Sequence, residues 1–202
     1  MSLKLNGQKI VIATHNKGKL EEFRQIFAPH GVNAVSAGEL GLAEPVETEN
    51  TFQGNARIKA LAAMQASGMI AMADDSGLCV DALNGNPGVY TADWAGPSRD
   101  WSMAMRLVEE KLQAAGASTP EQRRGAFMCT LCVIWPDGTE RFYGGRAPGH
   151  LVWPPRGKLG HGYDPVFMPD GETQTFSEME HDYKNRISHR ARALDLMFRD
   201  LF

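Results

Sequence analysis

The sequence predicts an α/β fold, a mixed sheet with flanking helices, in a single domain spanning 1–202 with two lobes. Three observations support that class. Apolar runs of strand length alternate with segments whose apolar residues recur at helical spacing. Glycine, proline, asparagine and aspartate gather between those segments. A chain of 202 residues, 43% of them hydrophobic, can bury a core without disulfides or a structural metal.

The elements follow in chain order. "KIVIAT" is a continuous apolar run, read as a buried strand. "KGKLEEFRQIFAPHG" places Leu20, Phe23, Ile26 and Phe27 on one helical face, and Pro29 and Gly31 close it. "VNAVSA" is a short second strand. In "ENTFQGNARIKALAAMQASG", Thr51 is the expected N-cap of a helix and Gly68 its stop. "MIAMADDSGLCVDAL" reads as strand, turn, strand. "SRDWSMAMRLVEEKLQAAG" is a third helix with Trp101, Met105, Val108 and Leu112 along one face, and Met103 and Met105 are read as core packing. "RGAFMCTLCVIW" and "TERFYGG" flank a Pro-Asp-Gly turn and predict a hairpin. "PPRGKLGHGYDP" is expected to be a long functional loop, because so many glycines and prolines in a compact domain usually serve a site. "RISHRARALDLMFRDLF" reads as one amphipathic C-terminal helix.

The charge balance excludes some functions. With 21 basic against 24 acidic residues and a net charge of −3, the chain does not wrap nucleic acid by bulk electrostatics, so an anion site must be built locally. Three cysteines argue against a secreted disulfide scaffold. No apolar run reaches the ~20 residues that a membrane span needs, and "MSLKLNGQK" lacks a signal-peptide core. The expected location is the cytoplasm, with no membrane partner.

Four constellations can carry chemistry. At the first strand-to-helix turn, Thr14-His15-Asn16-Lys17-Gly18-Lys19 sets two cations beside helix N–H groups that favour an anion; the alternative is a pair of solvated lysines. The spacing is not that of a Walker loop. In "ADDSG", Asp74 and Asp75 are adjacent carboxylates that call for a cation, for which magnesium is suited by its preference for hard oxygen ligands. In a strand the two point to opposite faces, leaving one in the site. Ser76 can donate to a phosphate oxygen, and the alternative is an acidic turn capping a hairpin. In "GHGYDPVF", His161 and Tyr163 can stack on a flat ring, while Asp164 before Pro165 can equally be structural. In "YKNRISHR", Lys184, Arg186, His189 and Arg190 crowd cations at one helix start, which is either a ligand site or a solvated basic end.

Weaker features complete the inventory. Cys129-Thr-Leu-Cys132 matches C-x-x-C but lies in an apolar run without a second pair, so both are read as core thiols. Glu44, Glu47 and Glu49 form either a solvated acidic loop or the source of a second metal ligand. Taken together, two cationic segments, an acid pair and an aromatic loop suggest a magnesium–nucleotide phosphate site.

Five ordered blocks then mark a resemblance: "ATHNKGKLEEF", "ETENTFQGNARIKA", "ADDSGLCVDALNGNPGVYTADWAG", "GHGYDPVF" and "KNRISHRARAL". Nearly end to end, the chain resembles the inosine triphosphate pyrophosphatase family in its bacterial form. The resemblance implies two lobes around a deep central cleft and a homodimer. It also implies magnesium-dependent hydrolysis of ITP, dITP and XTP to the monophosphate and pyrophosphate, which clears deaminated purines from the nucleotide pool. Thr14, His15, Asn16, Lys17, Gly18 and Lys19 would form the phosphate-binding turn. Asp75 would be metal ligand and proton acceptor, with Ser76 beside the substrate. His161, Gly162, Tyr163, Asp164, Lys184, His189 and Arg190 would bind the base and the rest of the nucleotide, and Glu47 would add an acidic metal ligand. One departure stands out: the family commonly has phenylalanine where this chain has His161, a smaller and titratable platform. The rival readings are a pyrophosphatase for other modified nucleotides, a non-catalytic nucleotide sensor, and a thiol oxidoreductase built on Cys129 and Cys132.

Overall fold

The computed structural model describes residues 3–202. The strands are β1 (Lys9–Ile12), β2 (Asn33–Ser36), β3 (Ile70–Val80), β4 (Arg124–Ile134), β5 (Glu140–Leu151) and β6 (Phe167–Pro169), and they form one sheet in the order β2-β1-β3-β4-β5-β6. The helices are α1 (Lys17–Phe27), α2 (Phe52–Ser67), α3 (Trp101–Ala114), α4 (His181–Ile187) and α5 (His189–Leu201). β1 pairs in parallel with β2 and with β3, while β5 and β6 run antiparallel. The sheet is therefore mixed, and each parallel pairing returns through a helix, as such pairings require.

Local signals account for many boundaries. Asn16 caps α1, its Oδ1 accepting from the N–H groups of Gly18 and Lys19 at 2.8 and 3.2 Å. Thr51 caps α2 through the Gly54 N–H at 3.0 Å, and Gly68 ends that helix in the left-handed conformation. The hairpin turn closes with the Gly138 N–H on the Trp135 carbonyl and the Thr139 N–H on Asp137 Oδ1, both 2.9 Å.

The chain divides into two compact units. One comprises the residues up to Asp75, Thr130–Gly144 and Ala193–Phe202; the other comprises Ser76–Cys129 and Gly145–Arg192. In the first, the alanine face of α2 (Ala56, Ala60, Ala63) packs with Val11, Ala71, Ala73, Cys132 and Ile134. Side chains this small let a helix lie close to a sheet. In the second, the core gathers Leu78, Val80, Phe127, Tyr163, Phe167 and Phe176 with the apolar face of α3.

Three expectations are corrected. "MIAMADDSGLCV" is not strand, turn, strand: β3 runs unbroken for 11 residues, and Gly77 makes no turn. Aspartate and glycine disfavour strands, but β3 is central and almost wholly buried, so pairing on both sides overrides local preference. The C-terminal segment is two helices. Ser188 adopts an extended conformation (ψ 163°), and its Oγ accepts from the Ala191 N–H at 3.2 Å, capping α5. Lys184 and Arg186 therefore end one helix while His189 and Arg190 begin the next. Met105 is buried as expected, but Met103 is an exposed side chain. Cys129 and Cys132 are buried and not joined in a disulfide, and burial pushes the Cys132 thiol up to about 12, which leaves it unreactive. No helix among the described residues is long and apolar enough to cross a membrane.

Candidate active site

The first unit carries Thr14–Lys19, Glu47 and Asp75. The turn after β1 is shaped from within: Thr14 Oγ1 accepts from the Asn16 N–H at 3.1 Å, and Asn16 Oδ1 takes the next two helical N–H groups. Those amides, expected to face an anion, are thus already satisfied, and the turn's positive character rests more on its lysines. Lys17 is exposed and enters no ion pair among the described residues. Lys19 Nζ donates to both oxygens of Asp74 at 3.0 Å. The His15 ring does not lie free in the turn; its Nε2 sits 2.8 Å from the Leu42 carbonyl and ties the turn to the segment leading to Glu47. A small cavity lined by Ala13, His15, Leu42, Glu44 and Lys59 lies beside this contact.

On β3 the two adjacent carboxylates part to opposite faces, as the pleat requires. Asp74 meets Lys19, and Asp75 meets Lys59 on α2 at 2.9 Å. Lys59 was not foreseen. Its ammonium also lies 2.9 Å from Glu47, so two carboxylates from distant segments converge on one cation. A signal for it existed: Lys59 stands among Ala56, Ala60 and Ala63, a charge placed on the apolar face of a helix. Of the three glutamates, Glu47 is the one that reaches Lys59. Glu49 packs its stem over Gly54, where a Cβ would lie 2.6 Å from it, and its backbone N–H donates to Asn55 Oδ1.

The electrostatics of this cluster are unequal. Burial pushes the Asp75 carboxyl up to about 6; Lys59 opposes that shift, while Glu47 and Asp74 add to it. Burial also works against the Lys59 charge, but Asp75, Glu47 and Asp74 outweigh it, so the ammonium is held more firmly than usual. Among the described residues, the ion pairs of this cluster set three carboxylates, Asp74, Asp75 and Glu47, against two ammonium groups, Lys19 and Lys59, one negative charge in excess within those pairs. Asp75 Oδ2 is buried and has no hydrogen-bond partner among the described residues. Hard oxygen donors, excess negative charge and an unmatched acceptor suit a magnesium ion. No group of three or more histidine, cysteine or acidic side chains forms a ready-made metal cage among the described residues.

The second unit carries Ser76, His161–Asp164, Lys184, His189 and Arg190. Ser76 Oγ is buried without a hydrogen-bond partner among the described residues. Asp164 is structural as well as a candidate: it is buried, its Oδ2 accepts from the His161 N–H at 2.6 Å, and it also takes the Lys184 ammonium. Gly160 makes this turn possible, with φ +79°; a Cβ there would lie 2.3 Å from the same oxygen. Lys184 is thus charge-compensated and sits 5.5 Å over the Phe176 ring. Tyr163 is fully buried, its hydroxyl donating to the Thr91 carbonyl at 3.3 Å, so Tyr163 anchors the loop and offers no exposed ring. His161 is exposed. His189 stacks on Phe127 with ring centroids 5.1 Å apart.

The chain is 53% identical over 204 residues to the dITP/XTP pyrophosphatase of Ruegeria pomeroyi, covering 100% of this chain and 99% of that one. It is 55% identical over 192 residues to the dITP/XTP pyrophosphatase of Rhodopseudomonas palustris, covering 92% and 91%. Among solved structures, a HAM1 protein from Coxiella burnetii superposes with a TM-score of 0.89 at 34% identity, covering 94% of this chain and 96% of that one. The nucleoside-triphosphatase / dITP/XTP pyrophosphatase from Mycobacterium abscessus gives 0.80 at 37% identity, covering 94% and 98%. The Ham1 family model matches residues 10–200. With a family model spanning nearly its whole length and relatives more than half identical to it, the chain belongs to the Ham1 family.

Proposed function

We propose that this protein hydrolyses deaminated purine nucleoside triphosphates (ITP, dITP and XTP) to the monophosphate and pyrophosphate, removing them from the nucleotide pool. The observation that carries the proposal is the Glu47–Lys59–Asp75 cluster, with its raised carboxyl and unmatched buried oxygen, in a chain more than half identical to dITP/XTP pyrophosphatases. By the same reading the protein acts as a homodimer in the cytoplasm.

Asp75 and Glu47 would hold a magnesium ion, which would neutralise charge on the phosphates when bound. The chain's own groups do the rest. Asp75 accepts a proton from the attacking water as that water bonds to the α-phosphorus. The α–β anhydride breaks and pyrophosphate leaves. Lys59 keeps Asp75 and Glu47 gathered on one point. Lys17 and Lys19 balance the triphosphate charge, and Ser76 Oγ donates to a phosphate oxygen. Lys184, held by Asp164, shapes the loop that meets the base. His189 and Arg190 offer donors to the purine 6-carbonyl. An adenine amino group would meet them as another donor, at a cost of roughly 1–3 kcal/mol for a desolvated unpaired group.

The test is pyrophosphate release from ITP, XTP, dUTP, GTP and ATP, each with magnesium and with EDTA. Release from ITP and XTP well above GTP and ATP, and absent with EDTA, is the expected result. Binding of ITP without release would establish a sensor instead, and preference for dUTP would move the substrate class to pyrimidines.

A further inference from the structure

His161 lies on the loop that the proposed function assigns to the base, and its ring is exposed. An exposed side chain has rotamers to lose when a ligand settles on it, and that loss weakens binding. Here the ring is braced. The Trp101 indole meets it nearly edge to face, with centroids 5.0 Å apart and planes at 73°. The same indole meets the buried Tyr163 ring at 5.6 Å and 75°. Between the two, Gly162 has φ +67°, and a Cβ there would lie 3.7 Å from the indole, so Trp101 covers the bend of the loop.

Trp101 is itself well fixed. It is the first residue of α3, whose opening turn is pinned by Asp100 Oδ1 accepting from the Met103 N–H at 2.9 Å. The indole packs against the core of its unit. On the opposite side, the His161 N–H is held by Asp164 Oδ2, which also takes Lys184. Backbone and ring of His161 are therefore restrained independently. An edge-to-face contact uses one side of the geometry and leaves a flat face open for stacking.

We propose that Trp101 is a positioning residue for base recognition: its indole holds the His161 imidazole at a fixed angle, presenting the open face of that ring to a purine. The proposal rests on the functional reading above. It also gives the imidazole a rigid mounting that offsets the small stacking area of a five-membered ring.

The experiment is a double-mutant cycle on ITP hydrolysis with Trp101→Leu, His161→Ala and the pair, and with Trp101→Phe as the milder change. Trp101→Leu should raise KM for ITP roughly two- to ten-fold, the range an aromatic pair supports, with kcat within about two-fold. Trp101→Phe should fall between the two, and it carries the test if the leucine variant does not fold. In the His161→Ala background, Trp101→Leu should add no further rise in KM. An equal rise in both backgrounds means the indole acts on the fold or the substrate directly, and overturns the proposal. So does an unchanged KM in Trp101→Leu when the wild type turns over ITP. A wild type without activity on ITP instead sinks the functional reading, and this proposal with it.

Discussion

Replacing Lys59 by methionine tests the electrostatic core of the site. In the wild type, burial raises the Asp75 carboxyl from the ordinary 3.8 to about 6. At 1.36 kcal/mol per unit, keeping it ionised in the folded state costs about 3 kcal/mol at pH 8. Because the folded pKa lies above the unfolded one, this side chain favours the fold most below pH ~4. That advantage is lost as pH climbs through 6. Lys59→Met removes the ammonium 2.9 Å away and leaves Asp75 buried near Glu47 and Asp74, both of which push its carboxyl up further. One-sided loss of a buried pair costs about 3–5 kcal/mol when the remaining charge is retained. At pH 5 Asp75 is already mostly protonated, so the loss there should be only about 1 kcal/mol; at pH 8 it should approach 3 kcal/mol. Urea unfolding followed by tryptophan fluorescence, in EDTA at pH 5 and pH 8, reads both values. Lys59→Met/Asp75→Asn should recover most of the loss at pH 8, since an amide needs no counter-charge. Equal destabilisation at the two pH values, or a double variant no better than the single, would refute this reasoning.

Three further outcomes are expected. Asp75→Asn should lower pyrophosphate release from ITP by more than about 100-fold, the lower range for a general base, while the melting temperature holds or rises; retained turnover would remove Asp75 from its role. Ser188→Ala should cost about 1 kcal/mol by uncapping α5, lowering Tm by about 2–4 °C in calorimetry, and an unchanged Tm would show that the cap carries no stability. His15→Ala frees the Leu42 carbonyl, so amide exchange across residues 42–47 should quicken roughly two- to ten-fold while β1 is unaffected. Uniform change throughout the unit would show instead that the ring serves the fold as a whole.

By itself the sequence determined what depends on neighbours three or four residues apart. The Thr51 cap, the Gly68 stop, the closure of α1 by Pro29 and Gly31 and the Pro-Asp-Gly turn all stand as read. Such features are local hydrogen bonds and backbone preferences, complete within the segment that shows them. The order of five motif blocks likewise sufficed to place the chain in its family. The tertiary structure decided which charges are spoken for. Lys19 finds Asp74 across 55 positions, Lys59 finds Asp75 across 16, and Lys184 finds Asp164 across 20. A lysine reads the same in sequence whether it awaits a phosphate or already holds a carboxylate, because the distinction arises only when strands and helices far apart in the chain are packed together. The unbroken course of β3 through two aspartates and a glycine has the same origin: its pairing lies on β1 and β4, and no residue within the strand announces it.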